Sequence, residues 1–188
     1  MHIFINGISQ EGVIILFDEN RHIVDSQSVN ILWRESKEFS TILDTYIRKN
    51  IWDYSLLKNI CVVNWPWSFT GIRSIVLTVN TLKFLFPNIC ITSLSFFDLY
   101  PHYPIVKASS KKDVFFKEWL HVEPEVISNE ELVKKCEEKQ IQTIYWDSIA
   151  WMLMNFEKNI DYGTIIQKIE LKDENLIEPL YLKKPNIS

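Results

Sequence analysis

A chain of 188 residues, 47% hydrophobic and 23% charged, has room for one large domain or two small lobes and is too apolar for global disorder. Its net charge of −4 argues against the basic footprint of a direct nucleic-acid binder, so any contact with RNA is expected through a partner. Three cysteines, odd in number and far apart (Cys61, Cys90, Cys136), read as free thiols of a reducing compartment, not as a disulfide framework or a metal site.

Residues 2–6 read as a strand and 13–17 as a second; after the turn signal Asp18-Glu19-Asn20, residues 22–29 make a third. Three short strands at hairpin spacing form an antiparallel meander. The period then changes. Phe39, Ile42, Leu43, Tyr46 and Ile47 share one helical face, which predicts a helix over 36–50 with Ser36 as its cap and Glu38 in its first turn. Residues 60–64 are a β-branched fourth strand. The stretch 71–86 is helical, with Ile72, Ile75, Val76, Val79, Leu82 and Phe86 on one face. Leu77, Phe84 and Leu85 lie off that face, so this helix is expected to bury two sides. Pro87-Asn88 ends it, 89–92 is a fifth strand, and Ser93 can cap a helix running to Tyr100.

This α/β order, a three-strand meander followed by crossover helices on a mixed sheet, is the ribonuclease-H-like layout on which actin-like ATPase lobes are built. Pro101-His102-Tyr103-Pro104 reads as a boundary. It gives an N-terminal ribonuclease-H-like lobe of residues 1–101 and a smaller C-terminal α/β lobe of residues 102–188. The second lobe is predicted to hold a hairpin of 105–109 and 114–119, a helix over 129–140 and a strand at 143–146. Helices are expected near 148–156 and over 162–170. There is no internal sequence repeat. No apolar run reaches the roughly 18 residues of a membrane span, and the opening Met1-His2-Ile3-Phe4-Ile5-Asn6 has neither the basic nor the apolar region of a leader, so the expectation is a cytoplasmic protein with no membrane partner.

Four scattered histidines (His2, His22, His102, His121) form no local nucleophilic signature, and there is no HxxxH, HExxH or CxxC, so no catalytic residue, metal or cofactor is assigned. Asn6-Gly7-Ile8-Ser9 stands where actin-like ATPases carry an acidic residue and a small-residue phosphate turn. Asparagine replaces the carboxylate that would hold Mg²⁺.

Ser68-Phe69-Thr70-Gly71-Ile72-Arg73, after a β-branched strand and before an apolar helix, resembles the signature of the bacterial TsaB family, which reads approximately GPGSFTGLRIG. Three further stretches are similar to the family's in the family's order. Thr92-Ser93-Leu94-Ser95-Phe96-Phe97 resembles its SSLxAL helix start. Val106 to Phe116 parallels its DAR…EVY hairpin, with Lys107 about where the Asp-Ala-Arg begins. Pro179-Leu180-Tyr181-Leu182-Lys183-Lys184-Pro185 resembles its PxYLR. The resemblance implies a non-catalytic partner subunit in the synthesis of threonylcarbamoyladenosine (t6A) on transfer RNA, bound to a TsaD-like catalytic subunit. A TsaE-like ATPase and a second copy of this chain are further candidate partners, with tRNA reached only indirectly. It also implies that pairing uses the first lobe, for which Phe39, Tyr46, Arg73, Leu77, Phe84 and Leu85 are the candidate interface residues. Ser68, Thr70 and Gly71 are candidate ligand-binding residues of the turn. The rival reading is an enzyme of the same fold, an ATP-dependent small-molecule kinase or a peptidase.

The turn departs from the family where it matters sterically, because Trp65 and Trp67 flank Pro66 in place of two glycines. The chain has 4 Gly and 7 Trp, whereas glycine ordinarily makes up about 7% of residues. Some genetic codes read UGA as glycine and a neighbouring code reads it as tryptophan. Decoding with the wrong table turns GPG into WPW and accounts for both departures at once. Tyr145-Trp146-Asp147-Ser148 resembles a family strand end usually written with Gly-Asp, which extends the expectation of glycine to positions 65, 67 and 146. The alternative is a genuine WPW turn opening to the surface as an aromatic patch.

Overall fold

The computed structural model describes residues 1–8, 12–29, 38–65, 69–110, 112–141, 143–147, 155–157 and 160–178. The chain divides into two compact units. One joins Met1–Phe96 to Tyr162–Leu180, and the other is built on Phe97–Asp161.

The first unit opens with β1 (His2–Asn6), β2 (Gly12–Phe17) and β3 (Ile23–Val29), the expected antiparallel meander. Gly12 marks a close approach: a Cβ there would lie 2.9 Å from the Val29 carbonyl oxygen across the ladder. The helix α1 (Phe39–Asn50) then leads to β4 (Asn59–Trp65), and α2 (Phe69–Leu85) leads to β5 (Cys90–Ser95). β4 lies parallel to β1 and β5 parallel to β4, so the five-stranded mixed sheet has the order β3-β2-β1-β4-β5. Its central strands carry near-continuous apolar runs because both faces are covered. On one face, Ile3, Ile5, Ile14, Leu16, Ile60 and Val62 meet Phe39, Leu43 and Ile47 of α1 and Ile72, Ile75 and Val79 of α2. On the other, Phe4 meets Tyr162 of α4 (Tyr162–Lys168) edge to face at 5.7 Å, and Ile166 and Ile169 are buried.

The second unit has β6 (Ile105–Ala108), β7 (Asp113–Lys117) and β8 (Glu125–Ser128), then α3 (Asn129–Glu138), β9 (Thr143–Asp147) and β10 (Asn155–Glu157). β6, β7 and β8 form an antiparallel meander, while β9 lies parallel to β6 and β10 parallel to β9. The order β10-β9-β6-β7-β8 repeats that of the first sheet, with β6 in the place of β1. A sequence without internal repeats therefore carries the same topology twice. Val106, Val114, Phe116 and Ile127 pack against Leu132 and Cys136 of α3. That helix starts with a serine N-cap: the Ser128 hydroxyl accepts the Glu131 N–H at 3.1 Å, and Glu130 and Glu131 sit in the first turn.

Several expectations need correction. α1 begins at Phe39 with Glu38 at its N-cap and no side-chain cap, so the acidic first turn is not formed; Ser36 lies outside the described residues. Ser93 starts no helix: β5 continues to Ser95, and a short 3₁₀ turn, Phe96–Leu99, follows. Residues 155–157 are strand and not the end of a helix, while 148–154 lie outside the described residues. The segment Tyr162–Leu180 groups with the first unit, not with a lobe starting at residue 102.

That returning segment forms a strap along β5. The Glu174 N–H donates to the Ile91 carbonyl at 2.9 Å, and its carboxylate accepts the Ser93 N–H at 2.5 Å and the Ser93 hydroxyl. Thr92 Oγ1 donates to the Lys172 carbonyl and accepts the Lys172 N–H. Asn80 of α2 bonds both the N–H and the carbonyl of Ile177, whose side chain is 1% exposed in the core. The exposed edge of β5 is thus covered inside the chain.

Candidate interaction surface

Of the SFTGIR stretch, Phe69 to Arg73 open α2 directly after β4 and the undescribed residues 66–68. β4 bulges near Asn64, which is buried and donates from Nδ2 to the Glu178 carbonyl at 3.1 Å. Pro66, Trp67 and Ser68 lie outside the described residues, while Thr70 and Gly71 fall in the first turn of α2. α2 then shows two faces. Ile72, Ile75, Val76 and Val79 are at most 3% exposed against the sheet and α1. Opposite them run Arg73, Leu77, Thr81, Phe84 and Leu85, all exposed, at helical spacings of four and then three or four. Leu77 is 69%, Phe84 83% and Leu85 60% exposed, so among the described residues this stripe is apolar surface with a cationic end at Arg73. The expectation that α2 buries both sides fails for these three.

Phe39 and Tyr46, the other candidate interface residues, are core. They are 0% and 1% exposed, and both belong to the cluster under α1. The Tyr46 hydroxyl donates to the Asp25 carbonyl of β3 at 3.0 Å, and burial first, then the nearby Asp25 carboxylate, pushes its pKa up. Asn50 adds a bond from Nδ2 to the Asp25 carboxylate at 3.2 Å. α1 therefore reaches over the edge strand β3, which leaves Tyr46 no open surface.

The first turn, at the end of β1, is closed by its own amide. Asn6 is 0% exposed; its Oδ1 accepts the Ile8 N–H at 3.1 Å and its Nδ2 donates to the Tyr162 hydroxyl at 2.9 Å. A neutral amide tied down at both ends is a turn and packing device. At the other end of β1, the His2 ring stacks on Phe17 with centroids 5.1 Å apart, and its Nδ1 is buried without a partner. Burial chiefly, with the N-terminal ammonium beside it, lowers its pKa from 6.5 to about 4, so the imidazole is neutral at pH 7. The Cys61 thiol is pushed up to about 12 by burial, which leaves no thiolate at neutral pH to act as a nucleophile.

The second unit holds a cavity of about 260 Å³ between Tyr103, Pro104, Trp119 and Ile141, which the sequence did not signal. Its polar wall is satisfied: Lys139 is paired with Glu118, whose carboxylate also accepts the Trp119 Nε1–H at 3.1 Å. Among the described residues no group of three or more His, Cys, Asp or Glu side chains converges as a metal site would require, and no helix is long and apolar enough to cross a membrane.

No family model matches the sequence, and no curated protein matches it either. Solved structures do match by fold. The chain is similar to an uncharacterized protein with similarity to peptidase YeaZ from Pseudomonas aeruginosa, with a TM-score of 0.68 and 12% identity over 97% of this chain and 99% of that one. It is also similar to YeaZ from Pseudomonas aeruginosa, with a TM-score of 0.61 and 9% identity over 88% of each chain. At such low identity the likeness is one of fold. The chain is a divergent α/β protein with the fold of the YeaZ (TsaB) structures.

Proposed function

We propose that this chain is a TsaB-type partner subunit, without catalytic activity of its own, in the cytoplasmic machinery that makes threonylcarbamoyladenosine on transfer RNA. The observation that carries the reading is the likeness to a YeaZ-related structure over nearly the whole of both chains, supported by the SFTGIR resemblance, whose residues from Phe69 open α2. The twice-used meander-and-crossover topology supports assignment to the actin-like, ribonuclease-H-like class, whose lobes are built on that plan. The partner is a TsaD-like catalytic subunit, which supplies the chemistry. A TsaE-like ATPase and a second copy of the chain are further partners of the same assembly, and tRNA is met only through them.

The docking surface of this proposal is the outer face of α2, with Leu77, Phe84 and Leu85 as apolar contacts and Arg73 at its end. An exposed apolar stripe on a packed helix is the kind of surface that associations bury. The rival enzyme reading draws on the word peptidase in the neighbour's description and on kinases of the same fold. It needs a charged group at the first turn, where Asn6 spends its amide on Ile8 and Tyr162.

The test is calorimetry or light scattering of the chain with the TsaD-like subunit. The wild type should form a complex, and Leu77→Glu with Phe84→Glu should abolish it while the circular dichroism and melting of the chain stay close to wild type. Burying unpaired carboxylates costs several kcal/mol, enough to erase a micromolar complex worth about 8 kcal/mol. Undiminished affinity in the folded double variant moves the interface elsewhere, and absence of any complex with wild type sinks the partner reading.

A further inference from the structure

α1 ends in a geometry that suits one residue type. Ile51 caps the helix, donating its N–H to the Ile47 carbonyl at 2.7 Å, and the next residue, Trp52, takes φ 65 in the left-handed region. The position just past a helix cap is where chains place glycine, because a Cβ in that conformation crowds its own backbone. An indole could compensate by packing. This one is 84% exposed, with no hydrogen bond or ring contact to another described residue. Among the described residues, the other side-chain-bearing ones with positive φ are Arg21 and Gln140. Arg21 is anchored, with its guanidinium over Phe17 and bonded to the Ile169 carbonyl at 3.1 Å. Gln140 bears the same Cβ, but its flexible polar side chain adds no apolar surface to house. Trp52 is the bulky, unanchored case. Meanwhile no described glycine has a positive φ at all.

We infer that residue 52 of the native protein is glycine, and that the tryptophan written there is a UGA codon of a lineage that reads UGA as glycine. The inference stands on backbone geometry and exposure, and it depends neither on the WPW turn nor on the proposed function. Together with positions 65, 67 and 146 it raises glycine from 4 residues toward its usual share of about 7%. It also removes the indole from the surface beside α1, so no docking patch includes it.

The test is the coding DNA together with the protein from its native source. Codon 52 should be UGA, and the tryptic peptide of residues 50–58 should be lighter than the written sequence by the difference between a tryptophan and a glycine residue. A UGG codon, or a native peptide that retains tryptophan, overturns the inference. The recombinant chain gives a second reading. Trp52→Gly should melt higher than both the written sequence and Trp52→Ala, since alanine removes the indole but keeps the crowded Cβ. A Trp52→Gly variant melting no higher than Trp52→Ala would remove the backbone argument.

Discussion

Replacing His2 with phenylalanine is expected to flatten the acid side of the stability profile. The imidazole lies on Phe17, its Nδ1 is buried without a partner, and desolvation with the adjacent ammonium lowers its pKa from 6.5 to about 4. In the unfolded chain the ring titrates near its ordinary value. Between pH 6.5 and about 4 the unfolded state therefore holds a proton that the folded state refuses. Stability must fall as pH drops through that window, and the loss is complete below it. At about 1.36 kcal/mol per pH unit the whole gap corresponds to roughly 3 kcal/mol. The ring is only half desolvated, so solvent screening reduces this to about 1–2 kcal/mol. His2→Phe keeps the stacked ring and deletes the proton. Urea unfolding of both proteins at about pH 7 and about pH 4.5 should show the difference in stability growing by about 1–2 kcal/mol in favour of the variant. The carboxylates held below their usual range, such as Asp18 and Asp173, lose stability lower in the acid range in both proteins and nearly cancel in the difference. Parallel profiles, or a His2 ring titrating near 6.5 by NMR in the folded protein, would refute the reasoning.

Tyr46→Phe should cost about 1–2 kcal/mol through the lost bond to Asp25, and Tyr46→Ala about 3–5 kcal/mol through the cavity under α1, both read by denaturant midpoints. A cost near zero for both would return Tyr46 to the surface. Ile177→Ala should cost about 2–4 kcal/mol and loosen the strap, so that the Ser93 amide loses hydrogen-exchange protection before the β1 amides do. Uniform loss across the sheet would show that the strap has no independent hold.

What the sequence made legible was the first unit. β1, β2 and β4 are dense in β-branched residues, and the apolar faces of both helices repeat at helical spacing, so local pattern and final structure agree. The errors came where tertiary contacts overrode local signals. Ser93 looks like a helix cap, but its hydroxyl and N–H are both taken by Glu174, 81 positions away. Tyr46 stands among the candidate interface residues because nothing local shows that β3 extends beneath α1 as far as Asp25. β8 went unseen because four residues after Pro124 show too short an alternation to register. The second copy of the topology is carried by register and strand direction, which two unrelated stretches of side chains satisfy equally well. Of the candidate interface, Arg73, Leu77, Phe84 and Leu85 are exposed; helical spacing already separates the three apolar ones, which lie off the packed face of α2, from Phe39 and Tyr46, which lie on the packed face of α1.

The strap also has a consequence for biosynthesis. All five strands of the first sheet have been synthesised by Ser95, but the residues that shield β5 come some eighty positions later, after Phe97–Asp161 of the second unit. At about 5–20 residues per second the nascent chain carries a bare parallel edge strand for several seconds. For that interval β5 offers unpaired N–H and carbonyl groups to any neighbouring chain. Crowding of nascent chains on a polysome, or a stall in the codons of the second unit, would lengthen the exposure. Stop codons placed just before residue 172 should accordingly yield a product that is folded in its helices yet prone to associate through its sheet.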